Sequence, residues 1–180
     1  MGVILIAGFC VLINSIFGPT ELGLSRAALE QGEWFRILSF VFSHYGVEHL
    51  VTNIVTLILA GAIANEIELS NATFLAIFFG AGILSALLML PFTSSILVGA
   101  STGVYGIFGV IAVKLRDYGA SVPKVIGLFT LAIVGSSLIE VPLGSNQMAI
   151  RLSAHLTALF LGVILFVAAQ SWRSRFKRTR

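Results

Sequence analysis

The sequence predicts an all-α polytopic membrane protein, and three observations lead there. Of 180 residues, 57% are apolar and only 11% are charged, against about 45–50% and about 25% in soluble domains. Mean hydropathy is +1.01. The apolar residues form long continuous runs, not the alternating strands of a membrane β-barrel. A surface of this composition cannot face water, which excludes a soluble globular enzyme. A disordered chain, a collagen-like chain and a disulfide scaffold are excluded too. Hydrophobicity is too high, the 18 glycines have no fixed period, and there is one cysteine.

Six apolar stretches are the expected spans: Val3–Phe17, Leu50–Ala64, Phe74–Leu90, Ile96–Val113, Val125–Ile139 and Leu152–Ala169. Several fall short of the ~20 residues of a full span. Short helices suit a thinned bilayer, or helices that end below the surface at a wet cavity. The six use most of the chain, so residues 1–180 are expected to form one compact bundle. The first stretch has no basic start, the first Lys or Arg being Arg26, and no small-residue cleavage site near Asn14–Gly18. It therefore reads as a span and not a signal peptide.

Charge sets the expected orientation. With the N-terminus in the cytoplasm, the inner segments hold Lys114, Arg116 and Lys124, plus Arg173, Arg175, Lys177, Arg178 and Arg180 in a basic tail, 171–180. The outer segments hold only Arg26, Arg36 and Arg151. This bias follows the positive-inside rule, so both termini are expected in the cytoplasm. The tail, with Trp172 and Phe176, either sits on anionic headgroups or is simply solvated. Its juxtamembrane position argues against nucleic-acid binding. The loop between spans one and two, about Gly18–Val47, is long for so small a protein. It contains the apolar run Trp34–Phe42, which is expected to pack on the bundle at the membrane interface.

Polar groups inside a bilayer are functional candidates by default. His49 and Asn53 stand four residues apart at the start of span two, on one helix face. Ser101 lies in GASTGVYG on span four, with Tyr105 one turn on, and His155 opens span six in SAHLTALFLG. At about 1.5 Å per helical residue, Ser101 lies ~20 Å above Lys114 and Asn53 ~20 Å above Glu66. His155 lies ~25 Å above Trp172 by the same measure. Three helices thus deliver polar groups to one level in the outer third of a core ~30 Å thick. Span four carries Gly99, Gly103, Gly106 and Gly109, and span six carries the small series Ala154, Ala158 and Gly162. Small residues at four-residue steps let membrane helices pack backbone to backbone, which would bring Ser101 to His155. A serine hydroxyl becomes a usable nucleophile when an imidazole takes its proton. His49, Asn53 and the Ser101 N–H could stabilise an oxyanion. His49 and Asn53 could equally glue span two to span four.

The ordered set resembles the rhomboid family of intramembrane serine proteases, from about Phe35 to Gly162. It runs from Arg36 in the first loop through His44, HLVTN (His49 to Asn53) and Glu66 to GASTGVYG and AHLTALFLG. The resemblance implies a six-helix fold and a dyad, Ser101 as nucleophile and His155 as general base, with no aspartate. It implies an oxyanion hole of His49, Asn53 and the Ser101 N–H, and Tyr105 packed on the His155 ring. Its substrates would be membrane-anchored proteins cut at or near a transmembrane segment, in the plasma membrane, from an outward-opening cavity. Arg36 and His44 are expected to hold the outer loop by hydrogen bonds, and Glu66 to cap or brace the inner end of span two. Thr102 and Ala158 stand where the family has glycine, and Trp34 stands two residues before Arg36. Both replacements are small, so close packing is expected to survive.

Other chemistries fit less well. The order Glu48–His49 is not H-E-x-x-H, and three histidines with one cysteine make no convincing zinc set. The single aspartate, Asp117, rules out an aspartyl pair. Cys10 reads as a small core residue. No metal or cofactor is expected. The alternatives are an inactive rhomboid-fold protein that binds or dislocates membrane helices, and a channel or transporter. The first usually lacks the serine or the histidine; the second needs polar groups across the whole bilayer.

Overall fold

A computed structural model describes residues 2–140 and 146–178. The side chains of residues 139–140 and 176–178, and residues 179–180 of the basic tail, lie outside what is described. The chain begins with α1 (Gly2–Ile16), then runs through three short helices, α2 (Pro19–Leu22), α3 (Arg26–Glu30) and α4 (Arg36–Ser39). Five longer helices follow: α5 (Gly46–Glu66), α6 (Asn71–Met89), α7 (Ser101–Lys114), α8 (Val122–Glu140) and α9 (Asn146–Arg178). The described residues contain no strand beyond an isolated antiparallel bridge, Leu24 to Leu97.

Each apolar run is helical over most of its length, with ends set by local chemistry. Ser70 caps α6 by accepting the Thr73 N–H, which offsets one of the unpaired donors of a helix start. The fourth run departs most from expectation. Residues 96–100 are apolar but not helical, and α7 starts only at Ser101. Leu97 pairs with Leu24 through two backbone hydrogen bonds of 2.8 Å, and Gly99 turns at φ +111°, a conformation that side chains disfavour. The sixth run departs the other way, because α9 continues through Arg178. Its last turns are polar, and a hydropathy boundary marks the end of apolarity, not the end of a helix.

Three helical stretches, Gly46–Glu66, Asn71–Phe92 and Asn146–Arg175, are long and apolar enough to cross a membrane, while the stretches Gly2–Ile16 and Val122–Leu138 are apolar but shorter. Large apolar side chains face outward, Ile4 at 76% and Leu131 at 70% exposure among them. Contiguous apolar exposure of this kind fits lipid, not water.

The core is α7, whose residues from Thr102 to Val113 are nearly all buried, with α5, α6, α8 and α9 around it. Lipid tails are as apolar as leucine, so hydrophobicity alone does not press these helices together. Close backbone contact does. A Cβ on Gly162 would overlap the Gly106 carbonyl, and one on Gly109 would overlap the Leu159 carbonyl. Ala158 is completely buried in this seam, so the alanine that replaces a family glycine is accommodated. The first loop is tied down by polar bonds. Arg36 Nη1 donates to the Thr20 and Gly23 carbonyls at 2.7 and 3.0 Å. Ser39 donates to Leu22 O at 2.9 Å, and Arg26 donates to Leu90 and Pro91 carbonyls at 3.1 and 3.0 Å.

Gly162→Val should therefore destabilise the fold by at least about 3 kcal/mol, because the obstacle is backbone and cannot swing aside. Gly127→Ala on α8, where a Cβ meets nothing within 4 Å, should be neutral or stabilising by up to about 1 kcal/mol. Unfolding of both variants in detergent checks the contrast.

Candidate active site

Ser101 is the first residue of α7, so its backbone N–H has no acceptor within the helix. Its position is set by the chain just before it. Gly99 N–H donates to the Phe40 carbonyl at 2.9 Å, and Ala100 N–H donates to His44 Nε2 at 3.3 Å. The first loop thus holds the turn that carries the serine. His44 is buried, and Asn14 of α1 fixes its backbone by accepting the His44 N–H at 2.9 Å. The Asn14 amide also donates to the Cys10 and Phe42 carbonyls, each at 2.7 Å.

His155 comes from α9, one turn beyond Arg151. Its Nε2 lies 2.9 Å from Ser101 Oγ, within hydrogen-bond reach. For the hydroxyl to donate, Nε2 must be the unprotonated nitrogen, which puts the ring proton on Nδ1. Nδ1 is buried and has no hydrogen-bond partner among the described residues. The ring is held by packing instead, with Tyr105 at 4.5 Å between centroids. The Tyr105 hydroxyl is 3.4 Å from Ser136 Oγ on α8. Just before His155, the Ala154 carbonyl accepts from Ser85 of α6 at 2.5 Å, which pins the start of the buried part of α9.

The third helix is α5. His49 Nδ1 accepts the Tyr45 N–H at 3.3 Å, leaving Nε2 as the protonated nitrogen. That Nε2 lies against the Gly99 turn, about 3.1 Å from where a Gly99 Cβ would sit. Asn53 donates back to the His49 carbonyl at 2.9 Å, and its buried Oδ1 has no hydrogen-bond partner among the described residues. A cavity of about 630 Å³ is lined by Tyr45, His49, Gly99, Ser101, Arg151 and His155 among others. A smaller one of about 60 Å³ adds Asn53, Tyr105 and Ser136.

With this geometry in view, comparison with known proteins is decisive. Residues 31–171 match the Rhomboid domain. The chain belongs to the rhomboid family. It is 30% identical over 169 residues to RHOMBOID-like protein 4 of Arabidopsis thaliana, covering 86% of this chain and 41% of that protein. It is 29% identical over 153 residues to Rhomboid protease GluP of Bacillus subtilis, covering 85% of this chain and 28% of that protein. The chain thus spans less than half the length of these two relatives. Family membership makes it a membrane protein of an intramembrane protease family.

The structure brings Ser101, His155, His49, Asn53 and Tyr105 of this rhomboid to one place. Arg36 and His44 make the loop hydrogen bonds given above. Glu66 does not brace α5: it is exposed and forms no hydrogen bond or ion pair among the described residues. It sits in the last turn, where the helix dipole disfavours an anion, so it has no capping role. Cys10 is a core residue at 1% exposure. Sequence reasoning passed over Asn14, Ser85 and Arg151. Arg151 could have been found from its four-residue spacing to His155; the other two act across 28–69 residues of chain, where no local pattern exists.

Burial, and after it the charge of His49, push His44 down to about 4 from the ordinary 6.5. In the unfolded chain His44 takes its proton near 6.5, so acid favours unfolding. Stability is complete above about pH 6.5 and is lost as pH falls toward about 4, by up to about 3 kcal/mol. His44→Gln, which cannot titrate, should flatten this part of the stability profile; unchanged acid sensitivity would contradict the assignment.

Proposed function

We propose that this rhomboid is a serine endopeptidase that cuts peptide bonds in or beside transmembrane segments of other membrane proteins. The observation that carries the reading is the 2.9 Å approach of Ser101 Oγ to His155 Nε2 at the wall of a cavity large enough for an unwound peptide. Ser101 Oγ attacks the scissile carbonyl while its proton passes to Nε2. The C–N bond breaks as Nε2 returns that proton to the leaving amine. Water in the cavity then attacks the acyl-enzyme ester, again with His155 as base, and frees Ser101.

The charge that develops on the carbonyl oxygen needs donors. The Ser101 N–H, His49 Nε2–H and the second N–H of the Asn53 amide supply them. Among the described residues no carboxylate stands behind Nδ1, so Tyr105 packing takes over the orienting role that an acid has in a triad. No metal or cofactor is required. Substrates with small or helix-weakening residues near the cut suit the site, since a closed helix hides its peptide bonds. The six longer helices cross the plasma membrane with both termini in the cytoplasm and the cavity open outward, a reading supported by the concentration of Lys and Arg in the inner segments and tail.

In detergent or liposomes, the protein should cut a model transmembrane substrate. Ser101→Ala and His155→Ala should each lower turnover by at least about 10³-fold and abolish fluorophosphonate labelling. Asn53→Ala should stay folded and lose about 10²-fold or more. Equal cutting by wild type and Ser101→Ala would overturn the proposal, and no cutting by the wild type would leave an inactive helix-binding protein as the better reading.

A further inference from the structure

His155 Nδ1 and Asn53 Oδ1 are buried polar atoms with no hydrogen-bond partner among the described residues. Their residues are 3% and 5% exposed, and both line the smaller cavity, of about 60 Å³. The two atoms are complementary. Nδ1 carries the ring proton when Nε2 accepts from Ser101, so it is a donor, while Oδ1 is an acceptor. Buried groups of this kind are nearly always paired in a native fold. The hydroxyls around the same cavity have their protons committed elsewhere. Thr52 donates to the Glu48 carbonyl at 2.9 Å and Thr56 to the Thr52 carbonyl at 2.7 Å. Ser136 donates to the Ile133 carbonyl at 3.0 Å, so Tyr105 is the donor in its 3.4 Å contact with Ser136. The threonine oxygens keep lone pairs for a further donor.

We infer that this cavity binds a water molecule that stands where a triad has its acid. Its oxygen accepts the His155 Nδ1–H, and its two hydrogens go to acceptors among Asn53 Oδ1, Thr52 Oγ1 and Thr56 Oγ1. The catalytic part of this rests on the protease reading; the water site itself does not. The hydrogens balance, with one donor on the ring, two on the water and an acceptor for each. The space suffices too, because a water takes ~30 Å³ in the liquid and needs two to four polar partners when buried. The water complements Tyr105. Ring packing fixes the plane of the imidazole but not which nitrogen holds the proton, and a partner at Nδ1 fixes that. When Ser101 Oγ passes its proton to Nε2, the ring becomes cationic. A water dipole already aimed with its oxygen at Nδ1 stabilises that charge, and a low local dielectric strengthens the effect. It does less than a carboxylate would, but it puts no anion into an apolar bundle.

The test joins imidazole spectroscopy to kinetics on the full chain in neutral detergent. With ¹⁵N-labelled histidine, wild type should show a His155 Nδ1–H resonance with a cross-peak to water. Thr56→Leu, which fills the cavity from α5, should lose the cross-peak and lower kcat on a model transmembrane substrate by about tenfold, with KM within about twofold. Thr56→Ser, which keeps the oxygen and the space, should recover most of that loss. Absence of the cross-peak in wild type overturns the inference without any variant having to fold. A cross-peak that survives Thr56→Leu overturns the placing of the water in this cavity. A kcat of Thr56→Leu within about twofold of wild type, once the cross-peak is gone, overturns its catalytic part. If no Ser101-dependent cutting occurs, the protease reading falls, while the wild-type cross-peak still decides the water site.

Discussion

The contact between α7 and α9 governs the site. Gly106 meets Gly162, and Gly109 meets the Leu159 carbonyl, at distances that leave no room for a side chain. Helices in lipid have no hydrophobic drive toward each other, so small residues and close approach must supply the attraction. The approach also sets the chemistry. Ser101 projects from the first turn of α7 and His155 from α9 about two turns above the glycine seam. Their 2.9 Å separation is a consequence of how closely the two backbones lie. A wider seam would leave each helix intact and part the two side chains.

The serine end needs a second constraint, because it sits where a helix begins. The first loop supplies it. Arg36, Ser39 and Arg26 bind carbonyls of neighbouring segments, so the loop holds its shape through charged and hydroxyl donors at its polar face. From that frame Phe40 O and His44 Nε2 reach the two amides before Ser101. Asn14 then links the frame to α1. A neutral His44 is essential to this arrangement, since a protonated Nε2 could not accept from the Ala100 N–H. Burial keeps it neutral.

A polar cavity inside an apolar helix bundle opposes stability, and the protein confines that cost. The lower part of α7 is buried apolar surface, and the polar side chains gather at its first two turns. The late start of α7 makes the space: about 14 helical residues span only ~21 Å, so the chain that precedes it is non-helical backbone lining a cavity. Such backbone is tolerated at depth only where protein or water, and not lipid, faces it.

Much of this was legible in the chain alone. Composition and run length established the helical membrane class, and the four-residue steps of small residues on two spans foretold which helices would touch. The reason is that helix periodicity and bilayer thickness are local rules, readable from a short window. The alignment of Ser101, Tyr105, His155, His49 and Asn53 at one level followed from the same rise per residue. Tertiary structure alone decided the rest. Residues 96–100 look helical by hydropathy, but pairing of Leu97 with Leu24 and the turn at Gly99 delay the start of α7 to Ser101. Asn14 and Ser85 join segments far apart in sequence, and Glu66 joins nothing among the described residues. Arg151, read locally as an outer-side charge, lines the cavity. A helix carries its own pitch in its sequence, but its rotation and the partners of its polar groups are settled only when the whole bundle closes.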